Sequence, residues 1–85
     1  MLAFTDRARE ILRRSHEAAR RFNPDAAVRL SLGPGGEARF DLVDRPGEGD
    51  AVLEEDGFVL YVAPGVQGTV DVVEPHDRLV LRPGP

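Results

Sequence analysis

Glu74-Pro75-His76-Asp77 is the densest group of titratable side chains in this 85-residue sequence. An imidazole flanked by carboxylates on a loop could take a divalent cation through nitrogen and oxygen donors. Glu37, on another strand, is the carboxylate that could join them. The spacing of Glu74, His76 and Asp77 matches no closed four-ligand set. A surface turn accounts for the same residues, with Pro75 setting the bend and Asp77 bonding its own backbone.

Other chemistry is sparsely provided. His16, beside Ser15 and Glu17, reads as a partly exposed helix residue. Ser15 and Ser31 are the only serines, and neither sits in a nucleophile elbow, which argues against a hydrolytic triad. Gly33-Pro34-Gly35-Gly36 leads into a strand and not a helix, so it reads as a hairpin turn and not a phosphate cradle. The chain contains no cysteine. It therefore forms no disulfide, in keeping with a reducing compartment, and offers no thiolate to anchor an iron–sulfur cluster.

Charge is unevenly spread. The net charge is −4, with +3 over residues 1–39 and −7 over residues 40–85, and every basic side chain is arginine. An acidic domain without a sustained positive face is a poor ligand for nucleic acid. Glu48, Asp50 and Glu54-Glu55-Asp56 form an acidic edge, read either as a docking surface for a basic partner or as charge that keeps a strand edge soluble. The arginines of the first segment (Arg7, Arg9, Arg13, Arg14, Arg20 and Arg21) could dock on a second, acidic copy, or form a solvated face with local acid–arginine pairs.

These residues need a scaffold, and the hydropathy pattern supplies one. Thr5 suits a helix N-cap, and Asp6 and Arg20-Arg21 complement the helix dipole. Ala8, Ile11, Leu12, Ser15, Ala19 and Phe22 recur at helical spacing, and Asn23-Pro24 ends the pattern, predicting a helix over 6–21. Period-two alternation then marks strands at 28–32 and 38–42, joined as a hairpin. A polar loop follows from Asp44 to Asp50. Strands at 51–55 and 58–62 flank Asp56-Gly57, a turn pair suited to positive φ at both positions. Two short strands, 69–73 and 79–82, complete the chain. Phe58-Val59-Leu60-Tyr61-Val62 is apolar on both faces and should be central. The expected fold is a single α+β domain over 1–85: one N-terminal helix packed on a mostly antiparallel, curled sheet or flattened barrel of about six strands. No apolar stretch follows Met1–Phe4, so no signal peptide or membrane span is expected, and the cytoplasm is the expected compartment.

The order of elements and several residues resemble the A-type iron–sulfur carrier (HesB-like) family. The shared features are Thr5-Asp6 opening the helix and a strand, Gly35-Gly36 and a strand carrying Phe40. An acidic loop follows, then Asp56-Gly57 running through an apolar strand to Pro64, and a Gly68-Thr69-Val70-Asp71 step. The resemblance implies the HesB-like fold. It also implies which positions would carry the family's three cysteines, and none does. Glu37 follows the Gly-Gly pair where the first belongs, with Ala38 and Arg39 in place of the usual Ser and Gly. Arg82-Pro83-Gly84-Pro85 stands in place of a Cys-Gly-Cys tail, and Ala63 replaces the Asp before Pro64. The expected function is a non-catalytic HesB-like domain that binds no iron–sulfur cluster and no other cofactor, with an interaction or accessory role linked to cluster assembly. The alternative is a metal-binding protein using Glu74, His76 and Asp77. The expected partner is a protein, a second copy included, with no nucleic acid and no membrane.

Overall fold

The computed structural model describes residues 2–84. Helix α1 runs Asp6–Arg20, one residue shorter than expected, with Arg21 as its C-cap. Thr5 holds an extended backbone, and its hydroxyl accepts the Ala8 N–H at 3.1 Å, satisfying one donor that a helix start leaves free. Ala8, Ile11 and Leu12 are the buried stripe of this helix. Phe22 does not extend it, for the helix has ended and the ring is 90% exposed.

Among the described residues seven strands accompany the helix: β1 (Leu2–Phe4), β2 (Ala27–Leu32), β3 (Ala38–Val43), β4 (Ala51–Glu55), β5 (Phe58–Val62), β6 (Gly68–Val73) and β7 (Arg78–Arg82). The expected single curled sheet is divided in two, ordered β3-β2-β5-β4 and β1-β6-β7, and neither closes into a barrel. The three hairpins β2/β3, β4/β5 and β6/β7 are antiparallel, while β1/β6 and β2/β5 pair in parallel. As its two apolar faces foretold, β5 is an inner strand. Strand β1 has three residues, too few for a period to show, and it exists because β6 offers it a partner.

One core joins the helix and both sheets. Leu12 of α1, Leu30 of β2, Leu60 of β5 and Val70 of β6 are its largest fully buried side chains. Phe4 meets Phe58 edge-to-face at 5.9 Å and lies under the Arg9 guanidinium at 5.1 Å, which docks β1 on that core.

Two loops have specific anchors. In the β4/β5 turn only Gly57 takes positive φ, at 93°, whereas both positions were expected to. Arg13 of the helix lies across this turn and donates to the Asp56 carbonyl at 3.2 Å. The 44–50 loop is tied down by Arg29, which grips Asp50 with two hydrogen bonds of 2.7 and 2.9 Å. The same carboxylate accepts the Gly47 N–H at 2.6 Å and is fully buried.

Candidate functional site

The β2/β3 turn sets the position of Glu37. The Gly33 N–H donates to the Glu37 carbonyl at 2.7 Å, and the Gly36 N–H donates to the Gly33 carbonyl at 2.9 Å. Gly36 takes φ 85°, a conformation that a side chain would strain. The Glu37 carboxylate folds back over this turn: a Cβ on Gly35 would lie 2.9 Å from it, and one on Gly33 would collide with it.

Two small grooves flank the turn and meet at Leu81. Glu37 and Ala38 line one of about 340 Å³ together with Arg78 and Leu79. Gly36 and Leu32 line the other, about 260 Å³, with Gln67, Arg82 and Pro83. The two segments that stand where the resemblance places cysteines, Gly36-Glu37 and Arg82-Pro83, are thus brought close together. What the two grooves supply is one carboxylate (Glu37), the guanidinium groups of Arg78 and Arg82, and mostly apolar surface. Such a donor set does not fit an iron–sulfur cluster, which needs thiolate or at least several convergent anionic ligands. Among the described residues no group of three His, Cys, Asp or Glu side chains could hold a metal ion.

The Glu74–Asp77 loop is the turn between β6 and β7. Its Glu74–Pro75 peptide is cis, and His76 and Asp77 both hold left-handed backbone, with φ 75° and 49°. This geometry gathers the Glu74 and Asp77 carboxylates on one guanidinium and does not form a three-ligand group with His76. Asp77 bonds the Arg7 guanidinium at 2.6 Å, and Glu74 approaches the same group at 3.8 Å. Exposed His76 instead lines a hollow of about 250 Å³ with Glu74 and Arg78. Arg7 supplies the positive charge that these carboxylates face.

His16 is partly exposed, as expected. Its Nδ1 is buried without a partner, and burial, with the charge of Arg20, lowers its pKa. The acidic edge is partly neutralised: Asp50 is held by Arg29, and Glu55 pairs with Arg9.

A polar junction that sequence reasoning left unconnected lies at the helix start. The Thr5 hydroxyl donates to Asp71 at 3.1 Å, and the Thr5 N–H donates to the Val70 carbonyl at 3.0 Å. Asp71 also accepts the Val72 N–H and the Arg82 Nε, each at 2.8 Å. The Arg82 hydrogen bond, then those from Val72 and Thr5, hold the Asp71 carboxyl below the ordinary aspartate range. Gly68 belongs to the same junction: at φ 128° it packs so close to the Arg82 carbonyl that any Cβ would strike it. A second feature missed in the sequence is an open apolar groove of about 580 Å³ between the helix end and β3, lined by Ala19, Phe22, Ala26 and Leu42. Phe22 was its visible signal, an aromatic placed beyond the helix end.

With this geometry the chain is similar to Escherichia coli SufA, a protein involved in biosynthesis of iron–sulfur clusters. The TM-score is 0.70 and the identity 25%, over 95% of this chain and 81% of SufA. It is also similar in fold to IscA, whose crystal structure contains a [2Fe-2S] cluster, with a TM-score of 0.50 and 22% identity over 96% of this chain and 82% of IscA. No family model and no curated protein matches the sequence.

Proposed function

We propose that this HesB-like, cysteine-free chain works beside iron–sulfur cluster assembly as a non-catalytic interaction or accessory domain, and that it binds no cluster itself. Its fold is that of the A-type iron–sulfur carriers, which supports the link to assembly. One observation carries the second half of the reading. Where the resemblance places the first thiolate, Glu37 lies folded over its own turn, and the neighbouring segment contributes Arg82 and Pro83. A single carboxylate beside guanidinium groups repels ferric or ferrous iron more than it attracts it. The protein that results keeps a carrier's shape and offers it as a surface.

Anaerobic purification tests the cluster half. Iron and acid-labile sulfide far below one equivalent per chain are expected, with no visible charge-transfer absorption; stoichiometric iron and sulfide would overturn it. Affinity capture tests the accessory half. Enrichment of cluster-assembly proteins over a charge-matched control is expected, and their absence from the captured set would remove the assembly link.

A further inference from the structure

The helix stops short of the sheet it covers. Leu42 stands opposite Val28 in the β2/β3 ladder and shares its face, yet Val28 is buried and Leu42 is 62% exposed. Helix α1 ends at Arg20 and leaves Leu42 uncovered. The gap is the open groove of about 580 Å³, with Ala19, Phe22 and Ala26 on one wall and Leu42, Val43 and Asp44 on the other. Among the described residues four large apolar side chains are exposed, and two of them, Phe22 and Leu42, meet here. Single exposed apolar residues are ordinary, whereas a contiguous patch marks a surface that something covers.

The helix-end wall is held by its own hydrogen bonds. The Ala19 carbonyl accepts the N–H groups of Phe22 and Asn23 at 3.1 and 3.0 Å. The Asn23 carbonyl accepts the Ala26 N–H at 3.0 Å, and Arg20 Nε donates to the Ala26 carbonyl at 2.6 Å. Phe22 is thus a knob on a fixed backbone, beside a recess walled by the small side chains of Ala19 and Ala26. An unrelated partner would need a hole for the ring and a ring for the recess at the matching separation. The same patch turned about a two-fold axis supplies both, which is what an isologous contact requires.

Charge divides in the same way. Asp44 is the one ionised side chain lining the groove among the described residues, and it stands on the strand wall. The helix end carries Arg20 and Arg21 against a single acid, Asp25. Arg21 has no ion-pair partner among the described residues, and the one tie on Asp44 is exposed Arg45 at 3.6 Å. A two-fold axis brings the Arg21 of each copy to the Asp44 of the other.

We propose that the groove between the helix end and β3 is occupied by a second copy of this chain, in a symmetric dimer. Phe22 of each copy enters the recess of the other and packs on Leu42, Ala19 and Ala26, while Arg21 and Asp44 pair across the rim. The proposal goes beyond the accessory reading and does not depend on it.

Sedimentation equilibrium of the full chain is the test. The mass is expected to rise with concentration from monomer to dimer and to stop there. Phe22→Ser should weaken association at least about a hundredfold, because a symmetric contact loses two rings, each worth about tenfold or more. The melt of the dilute protein should not move, since the ring is 90% exposed in the single chain. Arg21→Glu and Asp44→Arg should each weaken association about tenfold, again through two contacts. Mixed together, these two variants should associate about as tightly as the parent, because every cross-pair is then opposite in sign. A monomer at about 1 mM, where even a weak pair forms, would overturn the proposal and leave the groove to a different molecule. A dimer indifferent to Phe22→Ser, a mixture no tighter than its components, or a mass that climbs past the dimer would overturn it too. None of these results bears on iron content or on the proteins that affinity capture enriches.

Discussion

The hydroxyl of Thr5 and the carboxylate of Asp71, 66 positions apart in sequence, meet at 3.1 Å. Thr5 caps the helix with the same oxygen, so one side chain fixes where α1 begins and where β6 lies. Two short motifs that look unrelated along the chain are halves of one junction.

Thr5→Ala removes both functions at once. Loss of an N-cap costs about 1–2 kcal/mol, and Thr5→Ser, which keeps the hydroxyl, should recover most of it. Urea denaturation monitored by circular dichroism measures both variants.

Acid should weaken the fold through Asp71 and Asp50. Both carboxyls titrate below the ordinary aspartate range, Asp71 held first by Arg82 and Asp50 first by Arg29. A folded-state value below the unfolded one means stabilisation that is complete above the unfolded value and is lost as pH falls through the folded one. Melting temperature should be flat near neutrality and drop below the ordinary aspartate range. In Asp50→Asn with Asp71→Asn that drop should shrink, and the neutral-pH melting temperature should already be lower.

Gly68→Ala tests the close approach of β6 to β7. A new Cβ would meet the Arg82 carbonyl, and φ 128° is strained for any residue with a side chain. Destabilisation of at least about 1–3 kcal/mol is expected. Gly65→Ala has nothing within 4 Å of the new Cβ but shares a positive φ of 84°, so it isolates the conformational part of the cost. Thermal melts of the two variants separate collision from backbone strain.

Calorimetric titration with Zn²⁺ or Mn²⁺ examines the Glu74–Asp77 loop. With Asp77 engaged by Arg7, no saturable uptake sensitive to His76→Ala is expected. Saturable binding that His76→Ala abolishes would restore the loop as a metal site.

Much of the fold was legible because the hydropathy period switches cleanly after Pro24. The helix, the first two hairpins and the inner position of β5 all follow from spacing and turn chemistry, whereas the pairing of the last two strands as a third hairpin shows only in the fold. What stayed hidden depended on partners distant in sequence. Three residues of β1 carry no period, and the division into two sheets arises from parallel pairings such as Val28 with Leu60 that no local pattern announces. The site was legible only as a deficit: Glu37 could be seen to stand after Gly35-Gly36, but its nearness to Arg82-Pro83 required the folded chain. Phe22 misled, since the helical spacing Ala19–Phe22 runs two residues past Arg20, the last helical residue.

The pairing of Leu2 with Gly68 also governs the order in which the molecule can assemble. During synthesis the first strand emerges from the ribosome with no partner strand to dock against until β6 has followed. Its apolar residues, Leu2 and Phe4, must wait in contact with solvent or a chaperone. A nascent chain stalled before Gly68 would therefore lack the partner of its first strand and the completed fold.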